Sequence, residues 1–254
     1  MAEITCTHIG KVGRLGNQLH QLASTLGMAI THQLTPRLPR WEYEDFFSVP
    51  MEFFVDEPTG HEAMELSSLP EEKRWYLQDL KLWWDSREQI KEWFQPSEWA
   101  RQIMGEWDPS GLAAVHVRRG DTIAQHPHLY VAAWTTDYYD RALKMVKGDP
   151  VLFTDDPDYC VERWPDLNVF SSGSRPREWP ERKGSPVNDW SDLFRMAACS
   201  ELVIANSSYS WWAAFLSDDP APIYPTRWFG NEILAQGWTT DDIMPAHWRG
   251  VRGV

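Results

Sequence analysis

The chain has 254 residues, 43% of them hydrophobic, and its 37 acidic against 24 basic side chains give a formal net charge of −13. That is apolar mass enough for one large domain or two small ones, and it excludes a disordered chain. A surface this acidic also excludes non-specific binding to nucleic acid or anionic lipid, so any anionic ligand must be held by particular groups.

Cys6, Cys160 and Cys199 are odd in number and far apart. They form neither a metal-ligand spacing nor a disulfide framework, which points to a reducing compartment. No apolar run approaches the roughly 18 residues of a membrane span. Nor does Met1-Ala-Glu-Ile-Thr-Cys6 show a charged-then-apolar signal pattern. The expectation is a cytoplasmic chain without a membrane span. The 16 Trp, 10 Phe and 8 Tyr are expected mostly in the core, with some available to stack on a sugar or a base.

In chain order, residues 4–9 alternate as a first strand, and Gly10, Gly13 and Gly16 punctuate the turn that follows. Asn17 opens a helical pattern with Leu19, Leu22, Ala23, Leu26, Ala29 and Ile30 on one face. Strand, glycine-bearing loop and helix is the order of a nucleotide-binding α/β unit. Residues 36–70, rich in proline, aromatics and acids, read as loops and short elements. Residues 86–107 are helical in character with a break at Pro96, and Pro109-Ser-Gly111 marks a boundary. Two lobes follow, 1–110 and 111–254.

The second half is more regular. Strands are expected over 113–117, 151–154, 169–170 and 202–205, and helices over 138–146, 189–199 and 208–216. A short edge element covers 222–225. Alternating strands and helices define an α/β protein with a mostly parallel sheet covered on both faces.

Ligands of open α/β sheets bind beyond the carboxyl ends of the strands. Four clusters fall at such ends: Gly13-Arg-Leu-Gly-Asn-Gln18, His116-Val-Arg-Arg-Gly-Asp121, Thr154-Asp-Asp156 and Asn206-Ser-Ser208. Alternation puts His116 and Arg118 on one face and Arg119 on the other. An arginine pair clamps a diphosphate bidentately, or else forms structural pairs with aspartates. Asp155 and Asp156 offer acceptors to a base or ribose, while Asp156 ahead of Pro157 also suits a helix N-cap. Asn206, Ser207 and Ser208 open a helix whose first turn attracts phosphate, or simply cap it. Asn206-Ser207-Ser208 also matches the glycosylation sequon, which has no meaning in a cytosolic protein.

Taken together, these segments resemble the α-1,2-fucosyltransferases of glycosyltransferase family 11. The residues concerned are Gly16-Asn-Gln-Leu-His-Gln21, His116-Val-Arg-Arg-Gly-Asp121, Phe153-Thr-Asp-Asp-Pro157, Asp192 to Cys199, Asn206-Ser-Ser-Tyr-Ser-Trp-Trp-Ala-Ala214 and Pro225-Thr-Arg-Trp-Phe229. His20, Thr122 and Tyr209 depart from the family's usual Phe, Tyr and Phe, and residues 31–110 show little likeness.

The resemblance implies a GT-B fold of two Rossmann-like lobes with mostly parallel sheets, the amino-terminal lobe on the acceptor side and the other holding a GDP-sugar. It implies inverting transfer of fucose from GDP-fucose to a hydroxyl of an oligosaccharide or glycan acceptor. The linkage implied is α-1,2 to galactose, with no metal and no cofactor. Arg118, His116 and Asp121 are the expected catalytic residues, Asp121 as base toward the acceptor hydroxyl. Gly16, Asn17, Gln18, His116, Arg118, Asp155, Asp156, Asn206, Ser207, Ser208 and Ser210 are expected to bind substrate. Alternatives are another GDP-sugar, a catalytically inactive GDP- or glycan-binding protein of the same fold, and a Rossmann-like oxidoreductase. The last lacks its dinucleotide fingerprint.

Overall fold

A computed structural model describes residues 2–58, 63–65, 75–120, 129–171, 189–237 and 239–254. It divides into two compact units, Met1–Gly105 and Glu106–Val254. All pairing between its named strands is parallel.

In the first unit, β1 (Glu3–Thr5) leads through the glycine loop into α1 (Leu15–His32) and returns as β2 (Thr35–Pro36). The two-residue strands β3 (Leu38–Pro39) and β4 (Phe54–Val55) pair with each other, and β5 (Ala63–Glu65) joins β1, giving the order β2-β1-β5. The helical stretch broken at Pro96 resolves into α2 (Arg87–Trp93) and α3 (Glu98–Met104). Ser97 caps α3 by accepting from the Ala100 N–H.

Two expectations need correcting here. The first strand stops at Thr5, with turns over 7–11. Ile30, expected on the buried face of α1, is 41% exposed. By contrast Gln18, His20, Gln21, Ser24 and Thr25 are buried. This helix is enclosed on more than one side, so its buried face is wider than a single apolar stripe.

The second unit holds the larger sheet. In chain order its elements are β6 (Leu112–Val117), α4 (Tyr138–Leu143), β7 (Asp149–Thr154), α5 (Pro157–Arg163) and β8 (Asn168–Ser171). They continue as α6 (Asp189–Ala198), β9 (Glu201–Val203), α7 (Ser208–Leu216), β10 (Ile223–Pro225), α8 (Asn231–Ala235) and β11 (Arg249–Val251). The sheet order is β11-β10-β9-β6-β7-β8. β10 is therefore an interior strand, because β11 pairs along its outer side. This corrects the expected edge element.

Alternation along the strands sorts their side chains into two cores. Val115, Val117, Leu152 and Val203 pack with Tyr138, Tyr139 and Ala142 of α4 and Cys160 of α5. On the opposite face, His116 meets Tyr209 of α7, and Phe170 lies under Arg195 of α6. The result is a parallel sheet between two helical layers, the α/β class expected from the sequence. Trp211 and Trp212 are fully enclosed. The Trp211 indole N–H donates to the Ile243 carbonyl, so these tryptophans belong to the core.

Candidate functional site

Because every strand of the six-stranded sheet runs the same way, His116 to Arg119, Thr154 to Asp156 and Asn206 to Ser208 all emerge at one edge. Two tyrosines of α4 pin that edge from below. The Tyr139 hydroxyl donates to the His116 carbonyl at 2.9 Å. The Tyr138 hydroxyl lies 2.7 and 3.1 Å from the carbonyls of Ile204 and Ile223. Nothing in the local sequence marked these tyrosines as more than core aromatics.

Strand register explains how the arginines and aspartates meet. β6 and β7 are paired through Val117 and Thr154, so the next two residues on each strand face one another. Arg118 Nη1 is 2.9 Å from Asp155 Oδ2, and Arg119 Nη1 is 2.7 Å from Asp156 Oδ2. The strand ends at Val117, so period-two alternation no longer governs the arginines.

The two pairs do different work. Asp155 also accepts the backbone N–H groups of Arg119 and Gly120, at 2.8 and 2.9 Å. Its carboxylate thus holds the turn after β6 and orients Arg118. Gly120 leaves room for that approach, since a Cβ there would lie 2.8 Å from Asp155 Oδ2 and the carboxylate would have to shift. Arg119 is engaged by protein groups. Its guanidinium carbon sits 3.6 Å from the Tyr159 ring centroid and 5.9 Å from that of Trp134. Asp156 N-caps α5 through the Tyr159 N–H. Both structural readings of these residues are therefore realised. A direct contact of Asp155 or Asp156 with a ligand would compete with these bonds.

His116 is 4% exposed, and its Nδ1 has no hydrogen-bond partner among the described residues. Burial first, and then the nearby Arg118 charge, lower its pKa from 6.5 to about 3, with Asp155 opposing. The imidazole is thus neutral near pH 7, with one buried ring nitrogen unbonded among the described residues. Its ring centroid is 5.5 Å from that of Tyr209, in the first turn of α7.

α7 begins at Ser208 with Ser207 as N-cap and no side-chain cap hydrogen bond. There is no acidic residue in its first turn. Such a helix start presents N–H groups and a partial positive charge. Asn206 and Ser210 are buried and bond inward: the Asn206 amide donates to the carbonyls of Val131 and Trp228, and Ser210 Oγ lies 3.4 Å from the carbonyls of Ala205 and Ser207. Ser207 and Ser208 remain half-buried.

Asp192 was not among the candidate site residues, yet it is a carboxylate buried in α6, 3.7 Å from Arg195 Nη1. That separation is an ion pair beyond hydrogen-bond length.

In the first unit, Gly16, Asn17 and Gln18 lie in the opening turn of α1. Gln18 donates to the Gly13 carbonyl at 2.9 Å and accepts from the Trp41 indole N–H at 2.7 Å. Asn17 Oδ1 accepts from the Gln78 side-chain amide at 3.1 Å. These amides brace the loop in which Gly13 adopts φ +82°, a conformation that suits glycine. Asp121 lies outside the described residues. Among the described residues, no three His, Cys, Asp or Glu side chains group as metal ligands, and no helix is long and apolar enough to cross a membrane.

The parallel sheet of this α/β protein thus brings an arginine, a buried neutral imidazole and a helix start to one edge. Residues 38–252 match the family model for glycosyl transferase family 11. The chain belongs to that family.

Among curated proteins, it is 28% identical over 172 residues to the O-antigen biosynthesis glycosyltransferase WbnK of Escherichia coli, covering 61% of this chain and 54% of the relative. It is 27% identical over 184 residues to an Escherichia coli α-1,2-colitosyltransferase, covering 68% and 60%. The chain thus spans little more than half the length of these relatives. Among solved structures, it is similar to NodZ α-1,6-fucosyltransferase soaked with GDP-fucose, at 15% identity and TM-score 0.47 over 85% of this chain and 93% of that one. It is also similar to fucosyltransferase NodZ from Bradyrhizobium, at 16% identity and TM-score 0.48 over 85% and 94%.

Proposed function

We propose that this chain transfers a sugar from a GDP-activated donor to a hydroxyl of a glycan acceptor, with fucose as the sugar, inversion at the anomeric carbon and an α-1,2 linkage to galactose. Membership of the family supports glycosyl transfer. The observation that carries the donor side is the buried, neutral His116, whose Nδ1 has no hydrogen-bond partner among the described residues, beside the first turn of α7.

In this reading Arg118 and the N–H groups at Ser207 and Ser208 stabilise the leaving diphosphate, and charge and dipoles supply the stabilisation without a metal or cofactor. His116 Nδ1 takes a hydrogen bond from the guanine or ribose. Asp155 orients Arg118, and Asp156 holds Arg119. Asp121 is the base toward the acceptor hydroxyl. The amino-terminal unit, with Gly16, Asn17 and Gln18 at the start of α1, serves the acceptor side. The two units correspond to the lobes of a GT-B enzyme working in the cytoplasm.

The relative named as a colitosyltransferase favours a second reading, a GDP-linked sugar other than fucose. A binding and hydrolysis screen over GDP-fucose, GDP-mannose and UDP-sugars tests both. Preference for GDP-fucose supports the first reading, and preference for another GDP-sugar the second. Binding without turnover points to an inactive binding protein, and preference for UDP-sugars sinks the GDP assignment.

A further inference from the structure

We infer that Asn206 is a positioning residue: its side-chain amide clasps the segments at 129–131 and 228–230, holding the two loops in place across the start of α7. That these loops border a nucleotide site rests on the donor reading above.

The geometry is specific. Asn206 is buried, and its Nδ2 group donates to the Val131 carbonyl and to the Trp228 carbonyl, the latter at 3.2 Å. The two segments are already laid side by side. Tyr130 and Phe229 form an isolated antiparallel bridge, and the Gly230 N–H donates to the Leu129 carbonyl at 2.7 Å. Val131 N–H points at the Trp228 carbonyl over a longer 3.5 Å.

One loop leads out of residue 129 toward α4, and the other joins β10 to α8. Asn206 ties their junction to the β9–α7 turn through its side chain. An amide is suited to this place because it carries two N–H donors, one for each carbonyl. An aspartate of the same shape would set a carboxylate against two carbonyl oxygens. The amide of the Asn206-Ser207-Ser208 sequon is buried and bonded to two carbonyls, so in the folded chain it is not exposed for glycosylation.

A clasp of this kind predicts that loosening the loops weakens nucleotide binding even when Asn206 is untouched. Gly230 offers the means. Its φ is −76°, which proline tolerates, so Gly230→Pro deletes the bond to Leu129 and leaves Asn206 in place. Asn206→Ala and Gly230→Pro are compared with the wild-type chain by amide hydrogen exchange, by calorimetric titration with GDP, and by donor KM and kcat.

Both variants should speed exchange at the remaining amides of 129–131 and 228–230 while β6 and β7 stay protected. Both should weaken GDP binding about fivefold for each hydrogen bond lost, with the loss in donor KM and not in kcat. If Asn206→Ala weakens GDP binding and Gly230→Pro does not, Asn206 touches the nucleotide directly and the proposal is overturned. Faster exchange with unchanged GDP affinity also overturns it. A wild-type chain that binds no GDP overturns the donor reading and this role with it, while the exchange rates still report whether the clasp exists.

Discussion

Replacing His116 with phenylalanine should remove part of the protein's sensitivity to acid. In the folded chain, burial and the Arg118 charge lower the imidazole pKa from 6.5 to about 3, against a smaller opposing effect of Asp155. In the unfolded chain it returns to about 6.5. The folded value is the lower one, so the unfolded state takes up the proton first as the pH falls. The contribution of a neutral His116 is complete above pH 6.5 and is lost progressively as pH falls toward 3.

At about 1.4 kcal/mol per pH unit, going from pH 7.5 to pH 5 costs about 2 kcal/mol through this one group. Phenylalanine cannot take up a proton. Any packing cost of the larger ring applies at both pH values and cancels in the difference. His20, also lowered to about 3 by burial, is present in both proteins and cancels as well. The assay is urea unfolding followed by tryptophan fluorescence at pH 7.5 and pH 5. Wild type should lose about 2 kcal/mol more than the variant between the two. Equal losses would mean that His116 is protonated or hydrated in the folded protein, and its role as a buried, neutral acceptor for the nucleotide would fail with that result.

Three further outcomes are expected. Arg118→Ala should abolish transfer and weaken GDP binding by about 2–4 kcal/mol, as for a lost charge-assisted contact. Unchanged affinity in a calorimetric titration would remove Arg118 from the phosphate site. Gly120→Ala should lower the unfolding free energy by roughly 1–3 kcal/mol, because the added Cβ meets Asp155 Oδ2 at 2.8 Å and the carboxylate must give up its backbone bonds. A variant with unchanged stability and wild-type GDP affinity would argue against the hold of Asp155 on the turn after β6. EDTA should leave activity intact in a radiolabelled transfer assay. Recovery only on adding Mg²⁺ or Mn²⁺ would sink the metal-free mechanism.

Much of the second unit was legible because its strands are short apolar runs flanked by helices of regular period. The helix over 208–216 matches α7 from end to end. The first unit was harder to read. Its two-residue strands β2, β3 and β4 are too short to show alternation, and α1 buries polar side chains such as Gln18, Ser24 and Thr25 on its enclosed sides. β10 looked like an edge because nothing near residue 224 in the chain announces β11, which arrives from residue 249.

The amino-acid sequence by itself determined the α/β class and the family, because both rest on local order. Strand-to-helix periodicity and the motifs from Gly16 to Phe229 are written along the chain. It also marked which strand ends carry chemistry. Tertiary structure alone decided which partners each of those residues meets. Arg118 and Arg119 are neighbours of one type, and from the sequence strand alternation could place them only on opposite faces, without naming a partner for either. The register of β6 on β7 pairs one with Asp155 and the other with Asp156, and the ring of Tyr159 withdraws only the second. Asn206 looked like a cap or a ligand, and became a clasp because Val131 and Trp228, remote in sequence, bring their carbonyls to it. The physical reason is common to these cases. A side chain's role is set by the partners that satisfy its charge or hydrogen bonds, and those partners come from distant parts of the chain.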